Sequence, residues 1–171
     1  MRDIELFEHL FKGVTVFSAL DCIAVGADNL NTALVQTVGK IDGGLAVFLG
    51  VFEKDSEAEC DFLAKKVANL RVFTDENDKM NLSLLDVGGS VIAISNFTLC
   101  ANARKGNRPS YDEAMRPEGA NRLYERFCEK LCENGISKVE KGVFGAHMKV
   151  LVSNDGPISI ALDTDKIMPK K

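Results

Sequence analysis

The chain has 171 residues, 46% of them hydrophobic and 27% charged, the composition of one soluble globular domain. A chain this long buries roughly 70% of its extended surface, so a core forms without staples. With 21 Lys and Arg against 25 Asp and Glu the net charge is −4, which argues against a histone-like, generally basic nucleic-acid binder while leaving room for a local basic patch.

Ile4, Phe7, Leu10 and Phe11 recur at helical spacing and predict a short amphipathic helix over the first eleven residues. Asp3, Glu5 and Glu8 break any apolar run there, so no targeting segment is expected and the protein reads as cytoplasmic. Beyond Gly13 the chain turns small and β-branched, and VTVF and TALVQTV predict strands around a loop at Gly26-Ala27-Asp28-Asn29. Gly43-Gly44 opens LAVFLGVF, an apolar run that fits a strand buried on both faces. Ser56 with Glu59 is a capping-box signature, and Phe62, Leu63, Val67 and Leu70 carry that helix to about Leu70.

Asp75-Glu76-Asn77-Asp78 predicts a turn, and Gly88-Gly89 precedes a second buried strand, VIAIS. Residues 101–117 form the longest irregular segment. Leu123, Phe127 and Leu131 mark a second helix stopped by Asn134-Gly135. HMKVLVS and ISIAL are expected strands joined by a turn at Asn154-Asp155-Gly156-Pro157, and residues 163–171 are expected to fray. With no repeat and no linker, residues 1–171 read as one α+β domain built on antiparallel sheet.

The five cysteines, Cys22, Cys60, Cys100, Cys128 and Cys132, are odd in number and irregularly spaced, so all are expected to be buried, reduced thiols. His9 and His147 lack ligand-spaced neighbours, and neither a metal nor a cofactor is expected. The longest uncharged stretch, 87–103, is too polar to span a bilayer. No phosphate-binding glycine loop or nucleophile elbow is present, so an enzymatic role would not rest on a conventional side-chain base.

Three segments invite a functional reading beside a plain one. Ser95-Asn96-Phe97-Thr98-Leu99 ends a buried strand in polar residues, which fits either emergence into solvent or a ligand site. Arg104-Lys105-Gly106-Asn107-Arg108-Pro109 carries three cations and no acid, as either a solvated surface or a phosphate contact. Asn154-Asp155-Gly156-Pro157 is either a plain β-turn or a place where bare backbone approaches a ligand.

Taken together, GGSVIAISNFTL (88–99), KGNRPSYDEAMRPEGANRLYERF (105–127) and FGAHMKVLVSNDGPISIAL (144–162) resemble the D-aminoacyl-tRNA deacylase family over roughly residues 32–162. The resemblance implies a β-barrel-like domain with two or three outer helices. It also implies a homodimer with its active sites at the subunit interface, acting on D-aminoacyl-tRNA and on glycine mischarged to tRNA-Ala, with no membrane or DNA partner. The family's S-Q-F-T-L segment maps to Ser95–Leu99, making Ser95, Phe97 and Thr98 the candidate catalytic residues and Asn96 a substrate contact. Phe144, Ala146 and Met148 would flank the terminal adenine, and Asn154 and Ser159 would help bind substrate. Gly156-Pro157 would form a cis chiral filter reaching into the partner's site. Arg104, Lys105 and Arg108 are the candidate tRNA-phosphate contacts.

This chain departs from the pattern at Asn96, where the family has Gln, and at Ser159, where it has Thr. Residues 1–30 also depart, lacking the usual opening strand and its Arg. Two rivals remain: an editing domain of the same fold that removes L-amino acids, and an inactive tRNA-end or nucleotide-binding module.

Overall fold

The computed structural model describes residues 14–27 and 35–169. The β-branched run after Gly13 forms β1 (Val14–Ala27), which is longer than VTVF suggests and becomes the hub of a six-stranded sheet. Gly26 and Ala27, expected in a loop, are paired with Gln36 and Val35, while Asp28 and Asn29 fall outside the described residues. The expected N-terminal helix lies outside them too. β2 (Val35–Ile41) and β3 (Gly44–Leu49) follow one another along a single edge of β1, both antiparallel to it.

From β3 the chain enters α1 (Glu57–Ala68), started by the expected capping box: Ser56 accepts from Ala58 N–H, and Glu59 accepts from Ser56 N–H at 2.9 Å. The helix stops two residues before Leu70 because Asn69 Nδ2 donates to the Lys65 carbonyl at 2.8 Å. β4 (Phe73–Thr74) and β5 (Met80–Leu82) flank the expected turn, where the Asp75 carboxylate accepts from the N–H groups of Asn77 and Lys79. A single turn, α2 (Leu84–Val87), leads into β6 (Ser90–Ser95), and α3 (Pro117–Glu133) leads from the irregular segment to β7 (Val139–Lys141).

β6 pairs with β3, and β7 with β6, both in parallel. The sheet is therefore mixed rather than antiparallel throughout, because each helical crossover returns the chain in the direction it left. Gly44 makes the β3–β6 junction possible: its φ is +147°, and a Cβ there would lie 1.8 Å from the Ser90 carbonyl.

β8 (Met148–Leu162) corrects the expected hairpin at 154–157. Both halves pair with the same strand, β1, so the chain runs straight on instead of reversing. Between the pairs Phe17–Ser159 and Ala19–Asn154, residues 155–158 stand opposite Ser18 alone, an outward bulge. The bulge changes the face that the strand presents. Val150 and Val152 pack on one side of the sheet, whereas Ile158, Ile160 and Leu162 pack on the other.

Along β3 and β6 the pleat sorts side chains in the same way. Leu45, Val47, Val91 and Ala93 face α1 and α3 in the main core, with Leu63, Tyr124, Phe127 and Leu131. Ala46, Ile92 and Ile94 line the concave side with Ile41. The tail is not frayed through Pro169: α4 (Thr164–Ile167) is capped by the buried Asp163, and Ile167 packs on the core. Cys60, Cys100 and Cys128 are buried, and burial pushes their thiols up to about 12. Cys132, expected inside, is exposed. Among the described residues no helix is long and apolar enough to cross a membrane.

Candidate active site

β6 ends at Ser95, where Asn96 N–H donates to the Leu49 carbonyl at 2.8 Å and the chain tightens into a 3₁₀ turn, Phe97–Cys100. Asn96 caps that turn. Its Oδ1 accepts from Thr98 N–H at 3.2 Å and from the Thr98 hydroxyl at 2.6 Å, while its carbonyl accepts from Leu99 N–H. The turn lies close against the end of β3, since a Cβ on Gly50 would meet Leu99 Cβ at 2.9 Å.

Ser95, Asn96 and Phe97 form one side of a groove of about 870 Å³. Across it stand Phe144, Gly145 and Ala146, and the remaining wall comes from residues 111–120, with Glu53 and Val51 behind. Phe97 is 59% exposed, and its ring meets Tyr111 edge-to-face with centroids 5.0 Å apart. Phe144 is held from beneath by Tyr124, 6.1 Å between centroids. The buried Tyr124 hydroxyl donates to the carbonyls of Ala93 (2.9 Å) and Gly142 (3.2 Å), which pins the 142–146 segment to β6. Desolvation pushes that phenol well above its ordinary pKa, so it stays a donor.

The groove thus gathers Ser95, Asn96, Phe97, Phe144 and Ala146, five of the residues expected at the site. The others lie outside its lining. Thr98 is exposed on the turn, its backbone N–H already committed to Asn96. Met148 sits behind the wall, its Sδ accepting from Val143 N–H at 3.3 Å, and it packs on the concave core.

Asn154 and Ser159 brace the bulge: Asn154 Nδ2 donates to Ser159 Oγ and Asn154 Oδ1 accepts from Ile158 N–H, both at 3.2 Å. Gly156 and Pro157 are exposed at its crest, joined by a cis peptide bond. Arg104, Lys105 and Arg108 are exposed on a loop closed at its base by the reciprocal Asn102–Ser110 backbone bonds (2.8 and 2.9 Å).

Residues 28–163 match the family model described as D-Tyr-tRNA(Tyr) deacylase. A D-aminoacyl-tRNA deacylase of Thermosipho africanus is 52% identical over 132 residues, covering 77% of this chain and 88% of that protein. One from Caldicellulosiruptor bescii is 53% identical over the same shares. The chain belongs to the D-aminoacyl-tRNA deacylase family. With it goes an activity class, hydrolysis of the aminoacyl ester of D-aminoacyl-tRNA.

Among solved structures, the c-Myc DNA Unwinding Element Binding Protein superposes with a TM-score of 0.79 at 31% identity, covering 88% of this chain and 97% of that one. A protein described as a probable eukaryotic D-amino acid tRNA deacylase shares the fold at a TM-score of 0.72 and 14% identity, over the same shares.

For a deacylase, the groove wall from Tyr111 to Ala120 is the part that sequence reasoning missed. The three cations of the irregular segment drew attention to its tip, whereas Tyr111, Met115 and Arg116 look in sequence like ordinary loop and helix-start residues. Their placement comes from an isolated bridge, Phe52 to Ala114, and from Met115 N–H donating to the Val51 carbonyl at 3.0 Å. The one available signal was Pro117 at the first position of α3, which fixes where the wall becomes helix.

Proposed function

We propose that this chain cleaves the ester between a D-amino acid, or glycine mischarged on tRNA-Ala, and the 3′-terminal ribose of tRNA, and that Gly156-Pro157 of one subunit selects the hand of the substrate bound in another. One observation carries the reading. The family match runs unbroken through both the Ser95–Thr98 turn and the 154–159 bulge, the two chemically unusual features of the fold.

An aminoacyl ester is activated, so positioning and charge stabilisation supply most of what its hydrolysis needs. The adenosine enters the groove against Phe144 and Ala146, with Met148 supporting that wall from behind. The ester carbonyl points at the Phe97 N–H, the donor left uncommitted at the head of the turn. Water attacks the carbonyl carbon with help from the tRNA's own 2′-hydroxyl. The acyl–oxygen bond to the ribose breaks, and the free amino acid leaves as the sugar oxygen takes a proton. Thr98 positions these groups and forms no acyl intermediate, since its hydroxyl donates to the Asn96 amide oxygen, which is no base. Arg104, Lys105 and Arg108 contact the phosphates of the acceptor end.

A register count supports selection between subunits. The bulge lies opposite Ser18, which faces Leu45, which faces Val91, and Ser95 is four residues further along β6. Three strand spacings across (~14 Å) and four residues along (~13 Å) separate the bulge from the turn of its own chain. A second copy can bring its own bulge to that turn.

The deciding experiment incubates the protein with matched D- and L-tyrosyl-tRNA and follows loss of the ester. Release of the D-residue with the L-ester intact is the expected result. Comparable cleavage of both hands would remove the chiral filter, L-selective cleavage would make this an editing domain, and binding without cleavage would make it a tRNA-end module.

A further inference from the structure

We infer that Asn96 is a positioning residue that acts through Thr98, engaging the hydroxyl proton so that only oxygen lone pairs remain to meet a substrate at the turn. The inference rests on the reading of the 95–98 turn as the reacting site. Its physical basis is the reach of the side chain. Asn96 Oδ1 lies 3.2 Å from the Thr98 backbone nitrogen and 2.6 Å from Thr98 Oγ1.

A backbone N–H can only donate, so the atom facing it is the amide oxygen. That oxygen has no proton to give, so the short contact with Oγ1 must be the hydroxyl donating to the amide. The Thr98 rotor is thereby fixed. Its proton points at Asn96, and its lone pairs are free to accept from a water, a sugar hydroxyl or the substrate's ammonium group. An amide oxygen is far too weak a base to take the proton outright, so the same contact disfavours Thr98 as a nucleophile.

The geometry depends on a short side chain. Asn, with one methylene, closes a ring onto the N–H two residues ahead, the usual asparagine cap. Gln reaches one carbon further and loses that ring. The family's Gln position in this chain has therefore become a clamp on its neighbour.

The test is a set of variants, each assayed with D-aminoacyl-tRNA for kcat and KM separately, beside backbone amide exchange at Thr98, which needs no activity. Asn96→Asp keeps both acceptor contacts and should hold kcat within about threefold, with any added cost from its charge appearing in KM. Asn96→Ala should lower kcat about tenfold with little change in KM, the size expected for one lost hydrogen bond in a transition state. The Thr98 amide should exchange faster in the Ala variant and not in the Asp variant.

Thr98→Val combined with Asn96→Ala should be no slower than Thr98→Val alone, because both remove one interaction. Additive losses in that double variant, or full rate in Asn96→Gln with loss in Asn96→Asp, would overturn the clamp and assign the amide NH₂ to the substrate instead. Should the wild-type protein cleave no D-aminoacyl-tRNA, the functional reading fails on its own. Amide exchange then still decides the clamp: slow exchange in wild type and the Asp variant, with fast exchange in the Ala variant, upholds it, and equal exchange in all three overturns it.

Discussion

Gly156 holds φ at +117°, and a Cβ on it would stand 2.8 Å from Ile158 Cγ1. Both facts act against any side chain, since an L-residue pays about 1–2 kcal/mol in such a backbone region before contacts are counted. Ile158 cannot simply yield, because it packs on the main core. Gly156→Ala should therefore reshape the crest of the bulge, lowering D-aminoacyl-tRNA cleavage at least tenfold while leaving a folded protein. Ser159→Ala removes only the Asn154 contact and should cost much less. Equal activities of wild type and Gly156→Ala, measured by ester release, would detach the crest from the reaction. At this scale the sequence names residue types and leaves their partners to the fold. Asn154 and Ser159 carry the right chemistry for substrate, yet they use it on one another, and only the fold reveals that. Thr98 N–H likewise looks free until the Asn96 cap is seen.

α1 and α3 were both legible, one from its capping box and the other from apolar spacing and its Asn-Gly stop, because those signals are local. Parallel pairing was not legible, since the direction of β6 and β7 is decided by crossovers whose ends lie tens of residues apart. The bulge at 155–158 that stands where a hairpin was expected was hidden for the same reason: nothing local shows that both halves of β8 share β1. The two helices are joined by Arg126, whose guanidinium donates to both oxygens of Asp61 at 2.7 Å and also meets Glu57 at 3.1 Å. That bond holds the Asp61 carboxyl below its usual 3.8. A depressed carboxylate adds stability that is complete above the unfolded value and disappears as pH falls through the folded one. Asp61→Asn should thus lower Tm at pH 6, and the difference from wild type should shrink as pH falls below about 3.8. Asp55, raised by burial, works in the opposite sense over a separate range above 3.8, so the comparison is best made between wild type and variant at each pH. A Tm difference that stays constant from pH 6 to pH 2 would show that the pair contributes no pH-linked stability.

For the whole molecule, the ~14 Å and ~13 Å offsets between bulge and turn turn a statement about one chain into one about assembly. In register, the bulge on β8 stands three strands and four residues from the turn after β6 in the same subunit. On the function proposed above, a second copy supplies the Gly156-Pro157 that each turn uses, and a closed pair made by a two-fold axis supplies two such sites at once. Light scattering should give twice the 18.7 kDa chain mass at active concentrations. Mass alone does not show that the subunits exchange residues, but mixing does. Gly156→Ala has a sound turn and a damaged bulge, whereas Thr98→Val has the reverse. Each homodimer then pairs a damaged group with a sound one at both of its sites. In a mixed dimer, the sound bulge meets the sound turn at one site and the two damaged groups meet at the other. Equal mixing with free exchange makes about half the dimers mixed, so about a quarter of wild-type sites return and activity on D-tyrosyl-tRNA rises to roughly that fraction. Sites built within one chain cannot recover this way, and an unchanged sum of the two weak activities after verified exchange would place the bulge and the turn in separate roles.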